Sequence, residues 1–112
     1  MSLLLVAIVH KGDAERVVGA LGDAGHRVTR LMSLGGFLGT ENATLLVGID
    51  DAQEASVLEI FERECAPRDI EVPLVLMGRL RDEFPRSVHY GGATIFSLEL
   101  RGMLRIEGGG PR

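Results

Sequence analysis

The side chains that could perform chemistry are few, and their spacing does not assemble a catalytic set. The three histidines, His10, His26 and His89, show none of the spacings with which clustered His and Cys ligands hold a metal ion. The single cysteine, Cys65, lies on an apolar helical stripe and is interpreted as a small core residue. No serine stands in the turn motif that exposes a catalytic nucleophile. The sequence therefore predicts a protein that is not an enzyme and needs no metal or cofactor.

The paired carboxylates Asp50 and Asp51, and the residues Arg27 and Asn42, are the remaining catalytic candidates. The two aspartates stand where a helix is predicted to begin, so they are interpreted as helix-start residues rather than as an acid–base pair. Arginine and asparagine alone can support the hydrolysis of an acyl phosphate on a small α+β fold. Because only fold analogy supports that hypothesis, a small hydrolase using Arg27 and Asn42 stays open as the minor alternative.

The length and charge of the chain exclude several classes of protein. Its 112 residues fit one domain with one core. A net charge of −4 argues against binding of a nucleic-acid backbone, which requires clustered positive charge, whereas a few arginines and backbone amides suffice for a small anionic ligand. The apolar run at residues 3–9 is too short for a signal peptide or a membrane span. We therefore expect a cytoplasmic protein without nucleic-acid or membrane partners.

The positions of the glycines are the most unusual feature of the sequence. Of the 15 glycines, one pair at 35–36 follows a predicted strand, Gly48 interrupts a strand, and a pair at 91–92 precedes another. Turn geometry and a β-bulge explain these positions most simply. Alternatively, the missing side chains let a ligand approach backbone amides. Phe37, at the tip of a glycine loop, then stacks on a nucleobase, although a contact between subunits explains it almost as well.

Periodicity predicts the element order β-α-β-β-α-β. The first helix begins after Asp13 as N-cap and ends at Gly25, and the second begins with a capping box of Asp51 and Glu54 and is stopped by Pro67. Val57, Leu58, Phe61 and Cys65 form the buried stripe of the second helix. The predicted strands cover residues 3–9, 27–34, 43–49 and 93–100.

This order predicts an α+β, ferredoxin-like fold, with an antiparallel sheet and both helices on one face. Residues 1–106 form the domain, which includes a long loop at 68–90, and residues 107–112 form a flexible tail. The opposite face of the sheet is bare in a monomer. Because large apolar faces are rarely left in water, we expect an oligomer, for which a cyclic trimer is suitable.

Five segments of the sequence carry a resemblance to a known family: LVAIV at 5–9, GHRVTRL at 25–31, GGFL at 35–38, NATLLVG at 42–48 and GGATIF at 91–96. Together they resemble the PII-like cyclic di-AMP receptor family. The resemblance extends from residue 3 to about residue 105 in the same order and similar spacing, and the joint occurrence of the two Gly-Gly motifs makes it specific. It implies a ferredoxin-like homotrimer without known catalysis, which binds the cyclic dinucleotide in clefts between subunits. It also implies that the long loop responds to ligand and meets an unknown downstream protein.

The resemblance also implies which residues bind the ligand. The arginine and the threonine of the second strand would reach it from one face, and the Gly-Phe-Leu run would hold one adenine. The asparagine would bind a base edge, and the two remaining glycines would provide clearance and amide donors. These residues are Arg27, Thr29, Gly36, Phe37, Leu38, Asn42, Gly48 and Gly92.

Several positions depart from the pattern of ligand-binding members. Gly25 stands where asparagine is usual, Leu34 and Ala43 each replace a threonine, and Arg105 lies where an aromatic and glutamine pattern is expected. Each lost polar contact removes about 1 kcal/mol of binding free energy. A PII-like sensor of another nucleotide or anion is therefore the second hypothesis, and a trimer without ligand is a third.

Overall fold

The computed structural model describes residues 2–31, 42–67, 86–90, 92–104 and 106, with only the backbone described for 86–90. It confirms the predicted α+β fold. Within these residues, no helix is long and apolar enough to cross a membrane. The predicted tail at 107–112 lies outside the described residues. The elements are β1 (Ser2–His10), α1 (Ala14–Asp23), β2 (Val28–Leu31), β3 (Asn42–Asp50), α2 (Glu54–Glu64), β4 (Arg86–Tyr90) and β5 (Ala93–Leu100).

The strands form one antiparallel sheet in the order β2-β3-β1-β5-β4. The apolar run of β1 occupies the centre, as expected for a strand that is covered along its length. It pairs with β3 from Ser2↔Asp50 to His10↔Asn42, without a break in register. Its pairing with β5 is also continuous, from Ser2↔Leu100 to Val9↔Ala93. The sheet is therefore a stiff platform on which side chains keep fixed relative positions.

The strand β4 corrects the prediction of a loop over the whole of 68–90. Arg86–Tyr90 pairs with β5, from Arg86↔Ser97 to Tyr90↔Ala93. A proline and several charges precede this strand, and its stability comes from pairing with a neighbour rather than from a strong local pattern. The remainder of the predicted loop, 68–85, lies outside the described residues, as do residues 32–34 of the predicted second strand.

The core lies between the sheet and the two helices. Odd-numbered residues of β1, β3 and β5 face the helices, and the apolar stripe of each helix covers them. The buried position of Cys65, which is 3% exposed, is confirmed. Leu58 was predicted to be buried but is only partly buried, and Ile60 is buried instead. The fully buried members of this core include Leu5, Val17, Leu21, Leu45, Val57, Phe61 and Ile95.

Asp13 differs from its predicted role as the side-chain cap of α1. It occupies the N-cap position, but its carboxylate makes no capping hydrogen bond. It is 1% exposed and accepts hydrogen bonds from the guanidinium of Arg16 and from the N–H of Ala66, at 3.3 Å. A short 3-10 turn, Lys11–Asp13, precedes the helix and is capped by the His10 side chain. Asp13 therefore joins the start of α1 to the segment that follows α2.

The capping box before α2 lies one residue earlier than predicted. Asp50 and Gln53 form it, and the N–H of Asp50 donates to Oε1 of Gln53 at 3.1 Å. The prediction of Asp51 and Glu54 is wrong because a 3-10 turn separates the strand from the helix. Glu54 instead accepts a hydrogen bond from Ser97 Oγ at 3.0 Å, which attaches the first turn of α2 to β5.

Candidate functional site

An open groove of about 750 Å³ lies on the sheet face that points away from the helices. It is found where β1 begins and β3 ends. The even-numbered residues Leu4, Leu46 and Gly48 form its floor, since they share this face of adjacent strands. Leu100 and Met103 line its far side. We call this cavity the Arg27 groove.

Polar groups surround the apolar floor of the Arg27 groove. Ser2 lines it from β1, and Arg27 and Thr29 line it from the residue before β2 and from β2 itself. Asp50 and Gln53 line it from the end of β3 and the turn that follows. Arg27 is exposed, and the ion pairs among the described residues join other groups, Arg16 with Asp13 and Arg63 with Glu64. A guanidinium with its donors uncommitted beside an apolar floor suits a ligand that has both a phosphate and a flat apolar body.

Gly48 leaves an empty space in this floor. The register of β3 continues through Leu4↔Gly48, so the β-bulge considered from the sequence does not exist. Within the described residues a positive φ occurs only at Gly25, so Gly48 does not need glycine for its backbone conformation. A Cβ added at Gly48 meets no atom within 4 Å. Neither turn geometry nor internal packing therefore requires glycine at this position.

A second set of polar residues lies on the same face at the opposite end of the sheet. Asn42, which is 9% exposed, begins β3 and pairs with His10, and Thr44 and Thr94 are buried nearby. Gly92 is buried in the turn that enters β5. We call the set of His10, Asn42, Thr44 and Thr94 the polar end.

The structure thus divides the predicted ligand residues into two groups. Arg27, Thr29 and Gly48 line one groove. Asn42 and Gly92 lie at the other end of the sheet, and Asn42 and Gly48 are six residues, or about 20 Å, apart along β3. The remaining predicted residues, Gly36, Phe37 and Leu38, lie outside the described residues.

The sequence reasoning missed the apolar lining of the groove. Leu4, Leu46, Leu100, Met103 and Leu104 line it but were not among the predicted site residues. The available signal was the unbroken apolar run of β1, because a strand that is apolar at both odd and even positions presents apolar side chains on both faces. Among the described residues, no group of three His, Cys, Asp or Glu side chains is placed to hold a metal ion.

Two departures from the family pattern have a structural explanation. Gly25 has φ of 89°, as expected for the residue after α1, and it lines the Arg27 groove. Asparagine is among the residues that tolerate a positive φ best. Glycine in place of asparagine therefore allows the same backbone conformation but removes a side-chain amide from the rim of the groove. Ala43 is 6% exposed and belongs to the core beneath the helices, so its change from threonine removes no group from the open face.

Comparison with known proteins decides the family. A model of the cyclic-di-AMP receptor family matches residues 1–106. The chain belongs to this family. The predicted resemblance is therefore confirmed over nearly the whole chain, and the positions named above can be considered within a receptor of the PII-like type.

Solved structures agree with this assignment. A functionally unknown protein from Pediococcus pentosaceus ATCC 25745 is 30% identical, with a TM-score of 0.65, and the match covers 94% of this chain and 97% of that one. PII of Arabidopsis thaliana, solved with bound citrate, is 18% identical, with a TM-score of 0.55, and the match covers 94% and 80% of the two chains. The second likeness shows that the receptor shares the PII fold.

Proposed function

We propose that this chain is a non-catalytic receptor that binds cyclic di-AMP between neighbouring subunits of a homotrimer. Its membership of the cyclic-di-AMP receptor family supports the ligand. The observation on which the proposal mainly depends is the division of the predicted ligand residues between two ends of one sheet face. The eight residues implied by the family pattern remain the proposed site.

The Arg27 groove has the composition that one half of a cyclic dinucleotide requires. Its volume of about 750 Å³ lies within the usual range for small-molecule sites. Leu4 and Leu46 offer an apolar surface to a purine, and the space above Gly48 admits the ring. We expect the Arg27 guanidinium, which lines the groove, to bind a phosphate through charge-assisted hydrogen bonds.

The polar end supplies the complementary half of the site. A rigid antiparallel sheet cannot bring Asn42 and Gly48 of one chain together, because they are fixed about 20 Å apart along the same strand. A ligand that contacts both groups therefore lies between the groove of one subunit and the polar end of the next. Such a contact joins unlike surfaces, and it closes into a ring when the rotation between subunits permits. This is the physical argument for a cyclic assembly, and the family resemblance supplies the number of three subunits.

The proposal also includes the output of the receptor. As the family resemblance implies, the segment at 68–85 passes the state of the site to a downstream protein. The receptor then acts as a cytoplasmic sensor, and ligand binding changes which surface this segment presents.

The proposal is tested by calorimetric titration and thermal unfolding of the purified protein with cyclic di-AMP, cyclic di-GMP and ATP. We expect saturable binding of cyclic di-AMP with one ligand per subunit, and light scattering should give the mass of a trimer. Ligand at a hundredfold excess over Kd should add about 2.7 kcal/mol to the free energy of unfolding. Tighter binding of ATP or of another anion would support the second hypothesis, which the missing amide at Gly25 favours.

The hydrolase alternative has a separate test. Arg27 and Asn42 lie at opposite ends of the sheet, so one subunit cannot bring them to the same acyl phosphate. We expect no release of phosphate from acetyl phosphate by the purified protein. Turnover that disappears in Arg27→Ala would contradict the non-catalytic assignment.

A further inference from the structure

The hydroxyl of Thr44 is a buried polar group without a partner. Thr44 is 4% exposed, and in the described part of the chain its Oγ1 is the buried side-chain polar atom that lacks a hydrogen bond. Buried hydroxyls in folded proteins nearly always have a hydrogen-bond partner, because a hydroxyl that is removed from water without one destabilises the folded state. This atom therefore calls for an explanation.

Thr44 belongs to the polar end and shares a sheet face with Asn42. The two residues are separated by one position on β3, so both side chains point away from the helices. Thr44 pairs with Ile8 of β1, which pairs on its other side with Thr94. On its other side Thr44 pairs with Leu31 of β2, so both neighbouring strands place an apolar residue beside it.

The chemistry of the polar end suits a neutral, planar group with donors and acceptors. Asparagine and threonine together supply amide and hydroxyl groups of both kinds and no formal charge. A nucleobase edge matches such a surface, whereas a phosphate matches the Arg27 groove at the other end.

We propose that Thr44 Oγ1 hydrogen-bonds the edge of the nucleobase that Asn42 contacts. This inference rests on the proposed function and adds a ligand-binding residue to it. The hydroxyl is already removed from water in the free protein, so a bond to the ligand requires little further desolvation. In the free protein Oγ1 makes no hydrogen bond, so a ligand that contacts this atom breaks no existing hydrogen bond there.

The test compares Thr44→Val, Thr44→Ser and wild type by two measurements. Valine keeps the branched shape and removes the hydroxyl, and serine keeps the hydroxyl. Without ligand, we expect Thr44→Val to unfold at the same temperature as wild type or higher, since no hydrogen bond is lost. With cyclic di-AMP, we expect its Kd to rise about tenfold, which is the effect of one hydrogen bond, and Thr44→Ser to stay near wild type.

The outcomes separate this inference from the proposed function. Wild-type affinity in Thr44→Val, while wild type binds cyclic di-AMP, overturns the inference and leaves the receptor function intact. A lower unfolding temperature of Thr44→Val without ligand, or loss of the trimer, shows that the hydroxyl has a structural partner and also overturns it. No binding by wild type overturns both.

Discussion

At the residue scale, Gly48 is the position at which the proposed function can be tested most directly. A glycine in the middle of a strand weakens it and packs nothing, so its presence needs a cause. The regular register and the empty space around its Cα position exclude a bulge and a tight internal contact. A side chain at position 48 would instead extend into the Arg27 groove.

We predict that Gly48→Ala leaves the free protein at least as stable as wild type and weakens cyclic di-AMP binding at least tenfold. Alanine suits the extended backbone and reduces the entropy of the unfolded chain, which adds about 0.4–1 kcal/mol of stability. Its methyl group occupies space that the ligand needs. Thermal unfolding without ligand and calorimetric titration measure the two effects.

Gly19→Ala is the matched control for this substitution. Gly19 lies on the exposed side of α1, and a Cβ there also meets no atom within 4 Å. We expect it to raise stability without changing affinity. Equal affinities in Gly48→Ala and Gly19→Ala would show that the groove floor does not contact the ligand.

The sequence allowed ligand-binding residues to be proposed, but it did not show where on the sheet they lie relative to one another. Arg27, Thr29 and Gly48 were inferred from the family resemblance, and the structure brings all three to one groove. Thr44 was not inferred, because the lack of a hydrogen-bond partner depends on what neighbouring strands present. Gly25 shows the reverse case, since its positive φ was inferable from its place after a helix.

Among the elements, the two helices are joined at their ends by one buried carboxylate. Asp13, at the start of α1, accepts the N–H of Ala66, which follows α2, and also pairs with Arg16. Arg16 also reaches the carbonyl of Glu64 at 3.4 Å. This contact fixes the position from which the chain leaves α2 toward residues 68–85.

We predict that Asp13→Ala destabilises the protein by about 1–3 kcal/mol, because the part-buried N–H of Ala66 and the guanidinium of Arg16 both lose their acceptor. Thermal unfolding should show a decrease of several degrees. Hydrogen exchange should show faster exchange of the Ala66 amide.

Asp23→Ala removes the same charge from the exposed end of α1 and is the control. We expect it to change stability by less than about 0.5 kcal/mol. Equal effects of the two substitutions would mean that loss of net negative charge, rather than the Asp13 contact, explains the result.

Elements with a strong local pattern were predictable, and those that depend on a neighbour were not. The central strand, both helices and β5 follow from apolar periodicity and turn residues. The strand Arg86–Tyr90 does not, since it depends on an edge that β5 provides. The capping box before α2 shifted because a short 3-10 turn precedes that helix, and a single-residue shift is beyond what sequence spacing resolves.

At the scale of the whole molecule, the proposed homotrimer requires the two ends of the sheet to meet across subunits. The Arg27 groove contains the cation, and the polar end contains the uncharged donors and acceptors of β3. These surfaces differ, so the proposed contact between them is head-to-tail, which gives a ring when the rotation between subunits closes. The exposed apolar side chains near the groove, Met103 at 86% and Leu104 at 84%, are also consistent with a neighbouring chain or ligand at this end.

The most direct test of the central claim is a subunit-mixing titration with Arg27→Ala and Asn42→Ala. Each variant alone should bind cyclic di-AMP at least tenfold more weakly than wild type, while thermal unfolding shows that each folds. The two are then co-expressed with different tags, and mixed trimers are purified through both tags.

If one ligand lies between the groove of one subunit and the polar end of the next, some interfaces in mixed trimers contain both intact halves. In a ring of three subunits, every mixed trimer has this composition at one of its interfaces, that is at about a third of the sites, and we predict that these sites recover wild-type affinity. If each subunit held its ligand alone, every site would keep one substitution and no affinity would return. Failure to recover any tight site in mixed trimers would therefore contradict binding between subunits.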